Sequence, residues 1–146
     1  MEVDDAAPRS IAKPDGRVIE LATRAAMKVA FRAGARVLDV RDPNEVEASK
    51  GGTSVSGNAR VHAPVNTDGK TQKEHNTSLP EYREKLVAAG VDVDQAESQV
   101  FVVHCTGGGR ADKGAGFLRE LGFTALNGGG PDDVRTCFEE VAAATH

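Results

Sequence analysis

A thiol, a row of glycines and a cation share one short stretch of this chain: His104-Cys105-Thr106-Gly107-Gly108-Gly109-Arg110. A cysteine is a nucleophile only as its thiolate, and a thiolate needs positive potential or hydrogen-bond donors around it. Both are found where a helix begins, because the first amides have no partner within the helix and the macrodipole adds partial positive charge there. Glycines lack Cβ, so Gly107, Gly108 and Gly109 allow the backbone to curl with its amides converging on one point. The stretch therefore reads as a cradle for a negative sulfur, with Cys105 as nucleophile, the 106–110 amides as donors and Arg110 as added charge or as the fixing point of the loop's exit. His104, the last residue before the thiol, reads as a packed strand-end histidine.

The flanking sequence supplies the elements that would hold such a loop. Val100, Phe101, Val102 and Val103 are a continuous β-branched and aromatic run, as in a strand buried on both faces. From Arg110 the period changes: Gly114, Phe117, Leu118 and Leu121 fall on one helical face that ends at Gly122. Val37-Leu38-Asp39-Val40-Arg41 predicts another strand, whose polar members Asp39 and Arg41 lie near its C-terminal end, where parallel α/β sheets place ligand sites. Asp42-Pro-Asn-Glu45 is a capping-box pattern opening a helix, with Glu45 a ready partner for Arg41. Strands and helices alternate along the chain, which predicts an α/β fold with a parallel sheet of about five strands and helices on both faces.

Three segments carry a family likeness. VVHCTGGGRADKGAGFLRELGF, together with ARVLDVRDPNEV (Ala35 to Val46) and GNARVHAPV (Gly57 to Val65), resembles the single-domain rhodaneses, thiosulfate-type sulfurtransferases. The likeness runs from about Val18 to Val141. It implies a rhodanese-like domain over 17–146 that moves a sulfane sulfur through a persulfide on Cys105, from a small anionic donor such as thiosulfate to a thiol or cyanide acceptor. It also implies that Asp39 braces the cysteine loop and that Arg41 pairs locally or assists an anion, with Thr106, Gly107, Gly108, Gly109 and Arg110 lining the substrate position. No metal or organic cofactor is implied. The tip Thr106-Gly-Gly-Gly is uncharged, which predicts weak affinity for thiosulfate. Phosphatases and arsenate reductases of similar architecture place five residues between cysteine and arginine, where this chain has four; they are the enzymatic alternative. A rhodanese-like binding module without turnover is the other.

The remaining sequence bounds these readings. A chain of 146 residues fits one domain. Its net charge of −4 argues against nucleic-acid binding, and no apolar run approaches the ~20 residues of a membrane span. Two cysteines make no disulfide framework, and a reactive thiol fits a reducing compartment, so a cytoplasmic monomer is expected, an organellar stroma or matrix being compatible. Met1 to Gly16 is polar and aperiodic and reads as a disordered tail. Val18-Ile19 begins a short strand, and the helix after it carries Ala22, Ala25, Ala26 and Val29 on one face. His62 reads as structural or surface. In the polar 66–77 connection, Lys70, Lys73 and His75 are candidates for attracting an anion. Ser78-Leu-Pro-Glu81 opens a helix; Gly128-Gly129-Gly130 reads as a flexible turn before a last helix in which Cys137 is a core residue.

Overall fold

The computed structural model describes residues 4–66 and 77–144. Its main sheet is parallel and ordered β4-β3-β5-β6, built from β3 (Arg36–Asp39), β4 (Arg60–His62), β5 (Val100–His104) and β6 (Thr124–Gly129). Along β3 and β5 the side chains alternate between two apolar layers, as the period of a strand requires. Leu38, Val40, Phe101 and Val103 face Tyr82 and Leu86 of α3 (Leu79–Ala88) and Ala111, Ala115 and Leu118 of α4 (Gly109–Glu120). Val37 and Val102 face Met27 and Phe31 of α1 (Arg24–Arg32) and Val134, Cys137 and Val141 of α5 (Pro131–Ala144). Helices thus cover both faces, as expected for β5 with its continuous apolar run. Each Val, Leu, Phe or Met among these side chains contributes about 1.5–3 kcal/mol by leaving water. The end of β5 is therefore among the best-fixed points of the molecule.

The sheet has four strands rather than the expected five. Val18-Ile19 does start a strand, β2 (Val18–Leu21), but it pairs antiparallel with β1 (Arg9–Ala12) in a separate two-stranded ribbon. The turn closes with Lys13 N–H donating to Arg17 O at 2.8 Å and Gly16 N–H to Lys13 O at 3.0 Å. A structureless 1–16 tail is therefore corrected over residues 9–12. Arg9 docks the ribbon by donating to Ala22 O at 2.7 Å and Gly128 O at 3.1 Å and pairing with Asp133 at 2.9 Å.

Helix α1 also turns a different face inward from the one predicted: Met27, Ala30 and Phe31 are buried, and Val29 is 62% exposed. Thr23 caps the helix through its hydroxyl, accepting from Ala26 N–H at 3.1 Å, so Leu21 and Ala22 belong to the preceding segment rather than to the helix. Arg24, buried against Asp5, Asp133 and Glu140, then fixes the rotation. The capping boxes at Asp42, before the short α2 (Pro43–Glu47), and at Ser78, before α3, both form. No helix among the described residues is long and apolar enough to cross a membrane.

Candidate active site

Strand β5 stops at His104, and Cys105 begins the connection to α4. Its N–H donates to Gly129 O at 3.1 Å, the last bond before the chain leaves the sheet. The turn is made at Gly108, with φ +132, a conformation that L side chains rarely adopt. A Cβ there would lie 2.9 Å from Leu21 Cδ2 and 3.2 Å from Ile11 Cδ1, so the ribbon packs directly on this residue. The turn aims the Gly108 N–H at Cys105 Sγ, 2.9 Å away. The sulfur thus accepts an amide at the N-terminus of the 12-residue α4, where the helix's own field favours negative charge. Cys105 is also nearly enclosed, with 2% of its surface exposed and the apolar layer beneath it.

Asn127 holds this turn from behind. It donates from Nδ2 to Gly108 O at 2.9 Å and accepts from Gly129 N–H at 3.0 Å. Gly128 and Gly129 are thus not a flexible turn but the end of β6. A register irregularity lets Gly129 pair with His104, and a Cβ on Gly129 would sit 2.9 Å from Leu21 Cδ1 and 3.5 Å from Gly107 O.

Arg110 commits its fork to α2 while its charge still acts on Cys105 through space. Its two terminal nitrogens bind the two oxygens of Glu45, one of them at 2.8 Å, and Nη2 also reaches Thr106 Oγ1 at 3.1 Å. The Thr106 hydroxyl donates to Glu45 Oε2 at 3.1 Å, and Asp42 N–H donates to Oε1 at 3.0 Å. With Arg110 first among these donors, the Glu45 carboxyl is held at about 2. Glu45 therefore clamps both ends of the loop, and it does not pair with Arg41 as predicted. Arg110 fixes the loop's exit; its charge is matched.

Asp39 and Arg41 form a buried pair at the end of β3. Arg41 donates to Asp39 from Nε at 3.0 Å and Nη2 at 2.8 Å, and Arg60 adds a contact at 2.9 Å. Burial alone would raise the Asp39 carboxyl, yet the hydrogen bonds from Arg41, with the charges of His104 and Arg41, hold it at about 2. Arg41 Nη1 is spent on Lys50 O at 3.0 Å and Gly52 O at 2.9 Å. Neither side chain touches 105–110 by hydrogen bond. Asp39 acts on the loop at one remove, by fixing Arg41, which fixes the 50–52 turn; a Cβ on Gly51 of that turn would lie 2.6 Å from Thr106 O.

His104 is fully buried, as expected for a packed strand-end histidine. Its Nδ1 lies 3.2 Å from Cys105 O and its Nε2 2.6 Å from Ser54 Oγ. A carbonyl only accepts, so Nδ1 carries the hydrogen and Nε2 accepts from the Ser54 hydroxyl. Burial, partly offset by Asp39 with Oδ1 3.9 Å from Nδ1, pushes the ring down to about 4, so it is neutral at pH 7. His62 has a backbone partner, Arg41 O, 2.8 Å from its Nε2. Burial pushes the Cys137 thiol up, as befits a core residue.

The structure thus brings Cys105, Thr106, Gly107, Gly108, Gly109 and Arg110 into one turn and sets Asp39 and Arg41 behind it. Lys70, Lys73 and His75 lie outside the described residues. Sequence reasoning missed Glu45 as a clamp of the loop, Asn127 and Ser54 as supports, and the ribbon laid over the loop. Of the three side chains only Glu45 carried a signal, and that signal marked a helix start.

No family model matches the chain, and no curated protein matches it. Among solved structures, it is similar to one described as the crystal structure of reduced Bacillus anthracis CoADR-RHD, at 20% sequence identity and a TM-score of 0.46. The similarity covers 80% of this chain and 16% of that one, so the chain spans under a fifth of that structure's length.

Proposed function

We propose that this chain is a rhodanese-like sulfurtransferase whose nucleophile is Cys105. The observation that carries the reading is the Gly108 amide aimed at Cys105 Sγ, at 2.9 Å, where β5 gives way to α4. In the reaction the thiolate attacks the outer sulfur of thiosulfate. A sulfur–sulfur bond forms to Cys105, the bond to the sulfonate sulfur breaks, and sulfite leaves with that electron pair. The cysteine persulfide carries one negative charge on its terminal sulfur, for which amides of 106–110 are the natural donors. Cyanide, or a thiol in its place, then attacks the terminal sulfur. With cyanide, thiocyanate leaves and the thiolate is restored, closing a two-step covalent cycle.

Arg110 weighs against a phosphatase or arsenate reductase, because a tetrahedral oxyanion needs an arginine fork that Glu45 already occupies. The near-complete enclosure of Cys105 favours a second reading, a rhodanese-like binding module that keeps the cysteine without turnover. Incubation of the full chain with thiosulfate, followed by intact-mass measurement, separates the three. Gain of one sulfur, absent in Cys105→Ser and removed by cyanide, is the expected result. No gain with hydrolysis of an aryl phosphate selects the phosphatase. No gain and no hydrolysis select the binding module.

A further inference from the structure

A dianionic donor needs positive charge at the mouth of the loop, and the nearby arginines are committed elsewhere. Arg110 is bound on both terminal nitrogens by Glu45. Arg41 is spent on Asp39 and two carbonyls. Arg9 is divided between two carbonyls and Asp133.

Lys13 is different. It follows β1 at the ribbon's turn, and its side chain crosses the cysteine loop so closely that a Cβ built on Gly109 would lie 2.5 Å from Nζ and 3.6 Å from Cε. A side chain at 109 would push the ammonium end of Lys13 off this path. Among the described residues the ammonium has no hydrogen bond and no ion pair; Asp15 acts on it through space, and the Asp15 carboxyl is itself bound by Arg17. Gly109 is the first residue of α4, where unpartnered amides and the macrodipole are electropositive and repel a cation. An ammonium placed there opposes the local field, and the opposition is removed when an anion lies between it and the amides.

We infer that Lys13 is a substrate-binding residue of the cysteine site, holding the charged end of a small dianionic donor while the donor's other end meets Cys105. The identity of that donor as thiosulfate rests on the proposed sulfurtransferase reading; the anion-binding role of Lys13 does not. The uncharged tip Thr106-Gly-Gly-Gly by itself predicts weak thiosulfate affinity, and Lys13 brings the missing charge from the other end of the chain.

The test compares alkylation of Cys105 by iodoacetate, an anion, and iodoacetamide, its neutral counterpart, at low ionic strength in the full chain and in Lys13→Met and Lys13→Arg. The iodoacetate-to-iodoacetamide rate ratio should fall roughly five- to tenfold in Lys13→Met, stay near the starting value in Lys13→Arg, and lose most of the difference at about 1 M salt. A change in thiolate fraction enters both rates alike and cancels in the ratio, and the urea midpoint should not fall, because the charge removed opposes the helix field. Equal ratios in the starting chain and Lys13→Met overturn the inference. So does a Cys105 inert to both reagents, since a loop that admits no small molecule takes no donor. A shifted ratio without sulfur gain from thiosulfate keeps Lys13 as an anion-binding residue and removes the sulfurtransferase reading. Where thiosulfate does turn over, KM should rise about fivefold or more in Lys13→Met with kcat within twofold, and an unchanged KM overturns the inference.

Discussion

Glu45 ties the cysteine loop to α2 through three contacts of one carboxylate: it caps α2 through Asp42 N–H, accepts from Thr106, and receives the Arg110 fork. Its side chain is 11% exposed and that of Arg110 13%, so water screens the pair only partly. Removing either partner strands the other and releases the same loop. The two losses should therefore not add. In a double-mutant cycle of Glu45→Gln and Arg110→Met, followed by urea unfolding, we expect a coupling of about 1–3 kcal/mol; additive losses would show that the two residues do not act as a pair. The pair also marks the limit of what residue spacing could reveal. Asp42-Pro-Asn-Glu45 announced a helix start, and the helix starts there. That the same carboxylate meets an arginine 65 residues later is a property of the parallel register between β3 and β5, which no local pattern encodes. Arg41, two residues from Asp39, found its partner by strand geometry instead.

The β1–β2 ribbon is the element that changes the picture of the site. Strands β3 and β5 were legible because their apolar runs are buried on both sides, and α4 and α5 because their apolar residues repeat at helical spacing. The ribbon was not, since its strands are half exposed and offer little apolar contrast. What signal there was lay in Pro14-Asp15-Gly16, a turn sequence with Ile11 and Ile19 placed to pair across it. The second glycine triplet misled for a related reason: glycines mark flexible turns and close backbone approach alike, and here Gly129 is pressed between Leu21 and Gly107. With Ile11 and Leu21 resting on Gly108, the ribbon covers the turn that presents the amide to the sulfur. Truncating that contact should loosen the cover. Ile11→Ala is expected to raise the iodoacetamide rate at Cys105 about three- to tenfold, because the shortened side chain leaves a gap beside Gly108 through which the reagent reaches the thiol while the ribbon and Lys13 stay in place, with Cys137 unaffected. An unchanged rate at Cys105 would mean that the ribbon does not control access.

For the molecule as a whole, the buried charge arrangement behind the loop sets how stability responds to acid. His104 titrates at about 4 in the fold against an ordinary 6.5, because burial disfavours the charged ring. Below pH 6.5 the unfolded chain therefore takes up a proton that the folded chain refuses, and stability falls until pH reaches about 4. Asp39 and Glu45, both held at about 2 against ordinary values of 3.8 and 4.5, act in the same direction in a lower window, their contribution being complete above about pH 4.5 and lost as pH drops towards 2. The two windows are separable, because of these three groups only the histidine acts near pH 6. Between pH 7 and 5 its share amounts to about 2 kcal/mol of unfolding free energy, from the pKa difference and about 1.4 kcal/mol per unit. His104→Asn keeps a donor of similar reach towards Cys105 O but does not titrate. It should be less stable than the starting chain at pH 7, yet lose about 2 kcal/mol less between pH 7 and 5 in urea unfolding followed by circular dichroism. If both chains lose stability equally over that interval, the ring is not buried neutral beside Cys105. The hydrogen bonds that it accepts from Ser54 and donates to the cysteine carbonyl would then need a different protonation state.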